Sequence, residues 1–259
     1  MTARSALLVS SDDEEIGVEV AGSGPGLVLL HGSGGNRATW WQQVVDLASS
    51  FTVVVVEARG SGRSTDRAGQ TGPVACARDL EAVRRELGLS SWHLVGHSLG
   101  GWTALRYACT HPERVLSCVL VSSYAGVFPP AAEAAWQALA ARPWEPQPLA
   151  SPASLGARSR GSAAAHLYQL VGALNPPPSP DSPAARIRSF DLTPLELARL
   201  AAPVTCVVGS EDEICPPAAA AEVAAMLGAG LRVLDGCGHV PFWEDPPSFN
   251  ALLRELCGA

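Results

Sequence analysis

Residues 92–101 read Trp-His-Leu-Val-Gly-His-Ser-Leu-Gly-Gly, and the rest of the chain is arranged around this stretch. Its first four residues predict a short buried strand, and the residues after Ser98 predict the start of a helix. Gly96 and Gly100 lie two residues before and two residues after the serine. A strand that turns directly into a helix brings the two backbones close together, so both positions favour glycine. The G-x-S-x-G spacing therefore predicts a strained strand–turn–helix unit with Ser98 at its tip.

A serine at such a turn projects its hydroxyl away from its own chain, which is the position that a nucleophile needs. The free N–H groups at the start of the following helix point toward any anion that forms beside Ser98. We interpret Ser98 as a candidate catalytic nucleophile and the N–H of Leu99 as one donor of an oxyanion hole. The alternative is a glycine-rich turn without a catalytic role, and the apolar strand and the helix on either side argue against it.

The composition indicates a globular protein with an acidic balance. Of its 259 residues 47% are hydrophobic and 17% are charged, with 18 basic against 25 acidic residues. The acidic excess argues against a nucleic-acid or anionic-membrane partner, and leaves a small-molecule substrate or a homo-oligomer open. The sequence contains no lysine, which excludes Schiff-base chemistry and lysine general bases.

The seven cysteines are scattered and never form a C-x-x-C pair. This usage predicts free thiols in a reducing, cytoplasmic compartment and no zinc or other metal site. The apolar part of the N-terminus is too short for a signal peptide, and no apolar run approaches membrane-spanning length.

Strand and helix patterns alternate on both sides of the central stretch, with fully apolar strand patterns at residues 27–30, 115–121 and 204–208. This alternation predicts an α/β fold in which a mostly parallel, twisted sheet carries helices on both faces. Residues 126–191 interrupt it with clustered prolines and two helical patterns. We expect them to form a small helical lid over the carboxyl-terminal edge of the strands, inserted into a core of residues 1–125 and 192–259.

A serine hydroxyl needs a base, and the base needs a carboxylate that holds it in one tautomer. His239 follows an apolar strand within a glycine-rich loop and comes last in the order serine, acid, histidine. Three adjacent acids follow the strand at residues 204–208, and a solvated turn is the alternative reading of this cluster. Of the three we predict Asp212 as the partner of His239, because it stands in a G-x-x-D-x-x-x-P pattern, and we expect Glu211 and Glu213 to face other directions.

These motifs, together with the loop at residues 31–35, His-Gly-Ser-Gly-Gly, occur in the order typical of the α/β-hydrolase superfamily, which the chain resembles outside the predicted lid. The resemblance implies a cofactor-free serine hydrolase that works through an acyl-enzyme. It also implies that the loop after residue 30 supplies the second oxyanion-hole N–H, from Ser33 or else Gly34. Haloalkane dehalogenases and epoxide hydrolases are not close relatives, because they carry aspartate where this chain has Ser98.

Apolar side chains in the predicted lid indicate an apolar substrate pocket. We predict that Trp102, Tyr124, Trp136 and Phe242 contact the substrate, the alternative for each being that it only packs the lid against the core. Two arginines of the lid, at positions 158 and 160, are candidates for binding a substrate carboxylate or are solvated surface charges.

Three functions fit these residues. The first is hydrolysis of a small to medium, largely apolar ester, thioester or lactone. The second is a lyase, a cyclase or a carbon–carbon bond hydrolase of natural-product or aromatic metabolism that uses the same triad. Carbon–carbon bond hydrolases usually carry tryptophan after the catalytic histidine, where this chain has Val240. The third is a ligand-sensing protein that retains the triad, because one fold hosts many functions.

Overall fold

The structure is a computed structural model that describes residues 4–141, 154–175 and 187–258. Its strands form one sheet in the order β1-β2-β4-β3-β5-β6-β7-β8. In chain order they are β1 (Arg4–Ser11), β2 (Glu14–Gly22), β3 (Gly26–Leu30), β4 (Thr52–Val56), β5 (Trp92–His97), β6 (Val115–Val121), β7 (Val204–Gly209) and β8 (Gly230–Leu234). β2 pairs antiparallel with both β1 and β4, and all other neighbours are parallel. The predicted mostly parallel sheet is confirmed.

Helices connect the strands. They are α1 (Trp41–Leu47), α2 (Pro73–Glu86), α3 (Leu99–Thr110), α4 (Pro130–Ala140), α5 (Ala163–Gly172), α6 (Pro194–Leu197), α7 (Pro217–Leu227), α8 (Pro241–Glu244) and α9 (Pro246–Cys257). Short 3-10 helices precede α1, β6 and α6, at Arg37–Trp40, Pro112–Arg114 and Ile187–Phe190. Several helices begin with proline, which fits the first turn because its missing N–H has no partner there.

The central strands are buried on both faces of the sheet, as the fully apolar strands predict. Successive residues of a strand point to opposite faces. Leu27 and Leu29 of β3 therefore pack in the layer formed by α1 and α9, and Val28 and Leu30 pack in the layer of α2, α3 and α7. All of β3 is buried. The expectation of helices on both faces is confirmed.

The strand order places one crevice at the carboxyl-terminal edge of the sheet. After β3 the chain moves to one side to form β4 and then crosses to the other side to form β5, so β3 lies between them. Ligands of open α/β sheets bind outside the strand ends where the order reverses in this way. The loop that follows β3 and the turn that follows β5 meet at this point.

The predicted lid, residues 126–191, lies between β6 and β7 and contains α4 and α5 in its described part. The helical patterns at residues 131–141 and 162–173 agree with these two helices to within one residue at each end. Residues 142–153 and 176–186 lie outside the described residues. The division into core and lid remains a prediction.

Close packing at the turn after β5 explains its glycines. A Cβ atom added to Gly96 would lie 2.5 Å from the carbonyl oxygen of Gly100, and one added to Gly100 would lie 2.5 Å from the carbonyl oxygen of Leu30. Both neighbours are backbone atoms of buried elements, which do not move aside easily.

We expect Gly96→Ala to lower the free energy of unfolding by about 3 kcal/mol, because the new methyl group overpacks the strand–helix contact. Gly228→Ala is a suitable control. Gly228 ends α7 at φ +61°, and a Cβ atom there would meet nothing within 4 Å. Its replacement should cost about 1 kcal/mol, from backbone strain alone. Urea unfolding of the two variants checks the difference, and equal losses would contradict it.

Candidate active site

Ser98 occupies the turn between β5 and α3 with φ 50° and ψ −117°, in the left-handed region that non-glycine residues rarely adopt. Hydrogen bonds with Val121, the last residue of β6, and with Ser123 hold this conformation. The N–H of Ser98 donates to the carbonyl of Val121 at 2.9 Å, and the hydroxyl of Ser123 donates to the carbonyl of Ser98 at 2.6 Å. The serine therefore lies at a strained, rigid turn, in the position predicted from the sequence.

His239 and Asp212 form a buried pair. Nδ1 of His239 lies 3.0 Å and 3.1 Å from the two carboxylate oxygens of Asp212. Oδ1 of Asp212 also accepts hydrogen bonds from the N–H groups of Ile214 and Cys215, each at 2.8 Å. A carboxylate held by these donors keeps the proton of neutral His239 on Nδ1, which leaves Nε2 as an acceptor. This is the state that a general base requires.

The acids beside Asp212 contact the predicted lid. Oε2 of Glu211 accepts from the N–H of Ala157 at 2.6 Å, and Glu213 pairs with Arg160 at 2.9 Å. Of the three adjacent acids, Asp212 is the one that the structure brings to His239.

Ser98 and His239 line the same cavity, which the described residues enclose with a volume of about 170 Å³. The structure contains no direct hydrogen bond between the Ser98 hydroxyl and the imidazole, although both residues are described. Catalytic hydrogen bonds are often long in ligand-free enzymes and shorten when substrate binds. The lining is mainly apolar and consists of Ser33, Ser98, Leu99, Trp102, Ser122, Tyr124, Trp136, Leu139, Ile187, Ile214 and His239.

The predicted oxyanion-hole residues lie at this cavity as well. Leu99 is the first residue of α3, so its N–H has no acceptor within the helix. Gly32 to Gly35 form a turn closed by a 3.1 Å hydrogen bond, with Gly34 at φ +73°. Such a turn needs glycine at its third position. Ser33 at the second position lines the cavity, and Gly34 is not among the lining residues that the structure describes. Ser33 is therefore better placed than Gly34.

Three of the four predicted substrate contacts, Trp102, Tyr124 and Trp136, line the cavity. The structure does not bring Phe242 there. Phe242 is fully buried in the opposite layer, with its ring 4.1 Å from the ring of Trp40. The reason is that α8 begins at Pro241, directly after the histidine loop, and its first turn points Phe242 into the core. Leu139, one of the apolar side chains of the predicted lid, lines the cavity as well, and the sequence did not indicate Ser122, Ile187 and Ile214.

Arg158 and Arg160 do not line this cavity, which favours the surface-charge alternative over binding of a substrate carboxylate. Arg158 donates to Sγ of Cys237 at 3.2 Å and lies 3.6 Å from Asp245. Arg160 donates to the carbonyl of Leu155 at 2.9 Å and also pairs with Glu213. Both guanidinium groups attach the segment at residues 154–162 to the core, where acidic partners already neutralise them.

Glu244 links this segment to the histidine loop. Its carboxylate accepts from the N–H of Gly156 at 2.8 Å and from the N–H of Gly238 at 2.7 Å. The N–H of His239 in turn donates to the carbonyl of Ser154 at 3.0 Å. Burial raises the pKa of Glu244, and the N–H donors oppose that shift. The position of His239 therefore depends on the segment that contacts it.

Two further histidines connect the loops of the site, and the sequence did not assign this role to them. Nε2 of His97 donates to the carbonyl of His239 at 2.9 Å. Nδ1 of His31 donates to the carbonyl of Gly32 at 2.8 Å, while its Nε2 accepts from the N–H of Ala58 at 3.0 Å. Both imidazoles are buried, and burial lowers the pKa of His31 and lowers that of His97 further. Both rings are therefore neutral structural groups.

These lowered pKa values predict acid sensitivity. In the unfolded chain both histidines regain a pKa near 6.5, so below that pH the unfolded state binds more protons than the folded state. The stability that the two neutral rings contribute is present above about pH 6.5 and is lost as the pH falls. We expect the free energy of unfolding to fall between pH 7.5 and pH 5.5, by at most about 1.4 kcal/mol for each ring.

Urea unfolding at both pH values measures this drop. His97→Gln should make the pH dependence shallower, whereas His166→Gln, at an exposed position, should leave it unchanged. The explanation fails if the two substitutions have the same effect on the slope.

The described residues contain no cluster of His, Cys, Asp and Glu side chains that is arranged to hold a metal ion. The seven cysteines are buried and unpaired. Among the residues with described structure, no helix combines the length and the apolar character needed to cross a membrane.

Comparison with known proteins agrees with this geometry. The family model described as "alpha/beta hydrolase fold" matches residues 25–160, which is more than half of the chain and includes the turn with Ser98. The chain belongs to the α/β-hydrolase fold family. Family members with esterase activity are among its relatives, which supports hydrolase chemistry for this chain.

Three similar members of the family cover nearly the whole chain. The pimeloyl-[acyl-carrier protein] methyl ester esterase of Aeromonas salmonicida is 30% identical over 94% of this chain and 99% of its own length. The structure of Est816, described as an N-acyl homoserine lactone degrading enzyme, has a TM-score of 0.77 and 28% identity, covering 96% of this chain and 99% of that chain. A thermophilic esterase from Thermogutta terrifontis has a TM-score of 0.79 and 25% identity, covering 98% of each chain.

Proposed function

We propose that this α/β-hydrolase is a serine hydrolase that cleaves small, largely apolar carboxylic esters, thioesters or lactones through an acyl-enzyme. The observation that supports this most directly is one cavity lined by Ser98, Ser33, Leu99 and His239, with His239 hydrogen-bonded to Asp212. A nucleophile, an oriented base and oxyanion donors are the groups that acyl transfer requires.

In this mechanism, Nε2 of His239 accepts the Ser98 proton while Oγ attacks the substrate carbonyl carbon. The N–H groups of Ser33 and Leu99 donate to the resulting oxyanion. Collapse of the tetrahedral intermediate breaks the ester or thioester bond, and the leaving alcohol or thiol takes the proton from the imidazolium. Water then attacks the acyl-enzyme, His239 accepts its proton and returns it to Ser98, and the carboxylic acid leaves.

The cavity favours a small substrate. Its volume of about 170 Å³ is below the range of about 300–1,000 Å³ that is typical of sites for drug-sized ligands. Aromatic and aliphatic side chains such as Trp102, Trp136 and Leu139 form most of its wall. The printed functions of two relatives, a methyl ester esterase and a lactone degrading enzyme, support acyl hydrolysis.

A series of p-nitrophenyl esters from acetate to laurate tests the proposal. We expect the highest kcat/KM at two to six acyl carbons, because longer chains exceed the cavity. A fluorophosphonate should label the protein once, at Ser98, and peptide mass spectrometry identifies the site. Absence of both ester turnover and labelling would refute the proposal and favour the lyase or sensing alternatives.

A further inference from the structure

Ser122 is a buried serine in the cavity wall whose hydroxyl has no hydrogen-bond partner among the described residues. It is 1% exposed, and its φ of 49° lies in the left-handed region. An unpaired buried hydroxyl and a strained non-glycine backbone both destabilise the folded state. No group among the described residues pairs with this hydroxyl, so an oxygen of a bound ligand is its natural partner.

The backbone of Ser122 is fixed beside the nucleophile. Its N–H donates to the carbonyl of Val207 in β7 at 2.8 Å. The residue before it, Val121, accepts from the N–H of Ser98, and the residue after it, Ser123, donates to the carbonyl of Ser98. Ser122 therefore lies at the end of β6, between the strand that leads to Ser98 and the strand that leads to Asp212.

One other lining side chain, Trp102, has a buried polar atom without a partner among the described residues, an indole N–H that can only donate. The hydroxyl of Tyr124 donates to the carbonyl of Ile214 at 2.6 Å. Ser98 and His239 carry the proposed chemistry. A hydrocarbon acyl group would leave the Ser122 hydroxyl unpaired. A carbonyl oxygen on the acyl group can accept a hydrogen bond from it, and a hydroxyl group can accept or donate one.

We propose that Ser122 determines acyl specificity. Its hydroxyl binds a hydroxyl or carbonyl oxygen on the first or second carbon beyond the scissile carbonyl, so the preferred substrates are esters of short hydroxy- or oxo-acids. The inference rests on the proposed acyl hydrolysis and narrows its substrate class. The residues on either side of Ser122 bond to the backbone of Ser98, which is why we place the polar group of the substrate near the reacting carbon.

Two isosteric substrate pairs test this: p-nitrophenyl glycolate against propionate, and p-nitrophenyl 3-hydroxypropanoate against butyrate. In each pair a hydroxyl replaces a methyl group. For each protein we take the ratio of kcat/KM for the hydroxy ester to kcat/KM for the alkyl ester. The measured quantity is this ratio for wild type divided by the ratio for Ser122→Ala. This quotient cancels the intrinsic reactivity of the esters. We expect it to be about 10 for at least one pair, the effect of one hydrogen bond of about 1.4 kcal/mol. A quotient below three in both pairs overturns the proposal.

Thermal unfolding separates binding from a structural role. Removing the unpaired hydroxyl in Ser122→Ala should leave the Tm equal or higher, whereas Ser123→Ala, which removes hydrogen bonds to Ser98 and Ala125, should lower it. Equal losses would show that Ser122 has a structural partner and would overturn the proposal. If Ser122→Ala does not fold, Ser122→Gly removes the same hydroxyl and tolerates the positive φ.

Binding to Ser98→Ala protein distinguishes failure of this inference from failure of the proposed function. Titration with ethyl glycolate and ethyl propionate, followed by the fluorescence of the cavity tryptophans, needs no turnover. Tighter binding of ethyl glycolate that disappears in Ser98→Ala/Ser122→Ala protein supports the role of Ser122 even if wild type hydrolyses none of the esters. Equal affinities in both proteins reject it even if wild type is an esterase.

Discussion

Replacing Ser98 with alanine is expected to lower kcat for p-nitrophenyl butyrate by about 10⁴- to 10⁶-fold, the loss seen when the nucleophile of a serine triad is removed. The hydroxyl is the atom that becomes acylated, and a substitute would have to come from a nearby serine. Ser123 cannot serve as one, because its hydroxyl already donates to the Ser98 carbonyl and accepts from the N–H of Ala125 at 3.0 Å. Fluorophosphonate labelling should disappear together with turnover.

Alanine is compatible with folding at this position. The hydrogen bonds that hold the turn use the N–H and the carbonyl of Ser98, not its hydroxyl. The far-UV circular dichroism spectrum and the Tm should therefore match those of wild type. A loss of activity would then come from the missing nucleophile and not from misfolding. Ser248→Ala, at an exposed position in α9, is the matched control and should keep kcat within twofold. Equal kcat values for wild type and Ser98→Ala would disprove the nucleophile assignment.

Asp212→Asn is expected to lower kcat by about 10⁴-fold, as the same change does in a serine triad on another fold. The physical reason is the hydrogen-bond pattern. The carboxylate accepts from Ile214 N–H, from Cys215 N–H and from Nδ1 of His239. An amide has only one acceptor oxygen, so its NH₂ group must face one of two sets of partners. In the first case it faces the two backbone N–H donors, and those hydrogen bonds are lost. In the second case it faces the imidazole. Nδ1 must then become the acceptor, which moves the imidazole proton to Nε2 and removes the base.

Steady-state kinetics of p-nitrophenyl butyrate at saturating substrate measures this loss. Glu213→Gln is the matched control, since this acid lies one residue away and pairs with Arg160 on the surface. It should change kcat less than threefold. A large loss in Glu213→Gln with little loss in Asp212→Asn would move the acid role to the neighbouring position.

Local sequence was sufficient for the elements that carry the site. The turn with Ser98 could be predicted because its strain is local, and the two glycines are required by backbone contacts within that turn and with the end of β3. His239 could be predicted because it stands in a glycine-rich loop after a strand. The prediction of Asp212 among three acids needed a motif, and the structure supplies the physical reason, which is a turn whose N–H groups point at this one carboxylate.

Other residues of the site could not be predicted because their partners lie far away in the chain. The hydrogen bond between His97 and the carbonyl of His239 spans 142 residues. Phe242 was expected in the pocket and lies in the core, because the direction of a side chain in a four-residue helix depends on what that helix packs against. Arg158 and Arg160 have partners that only the folded chain brings near them.

The sequence by itself determined the succession of strands and helices along the chain, the family, and the three candidate residues Ser98, Asp212 and His239. It could do so because apolar periodicity and glycine positions act over a few residues. Only the tertiary structure decided which side chains form the cavity wall and which are buried behind it, and it placed the unpaired hydroxyl of Ser122 beside the nucleophile. The physical reason is the sheet order, because β5, β6 and β7 become neighbours only when the whole sheet assembles.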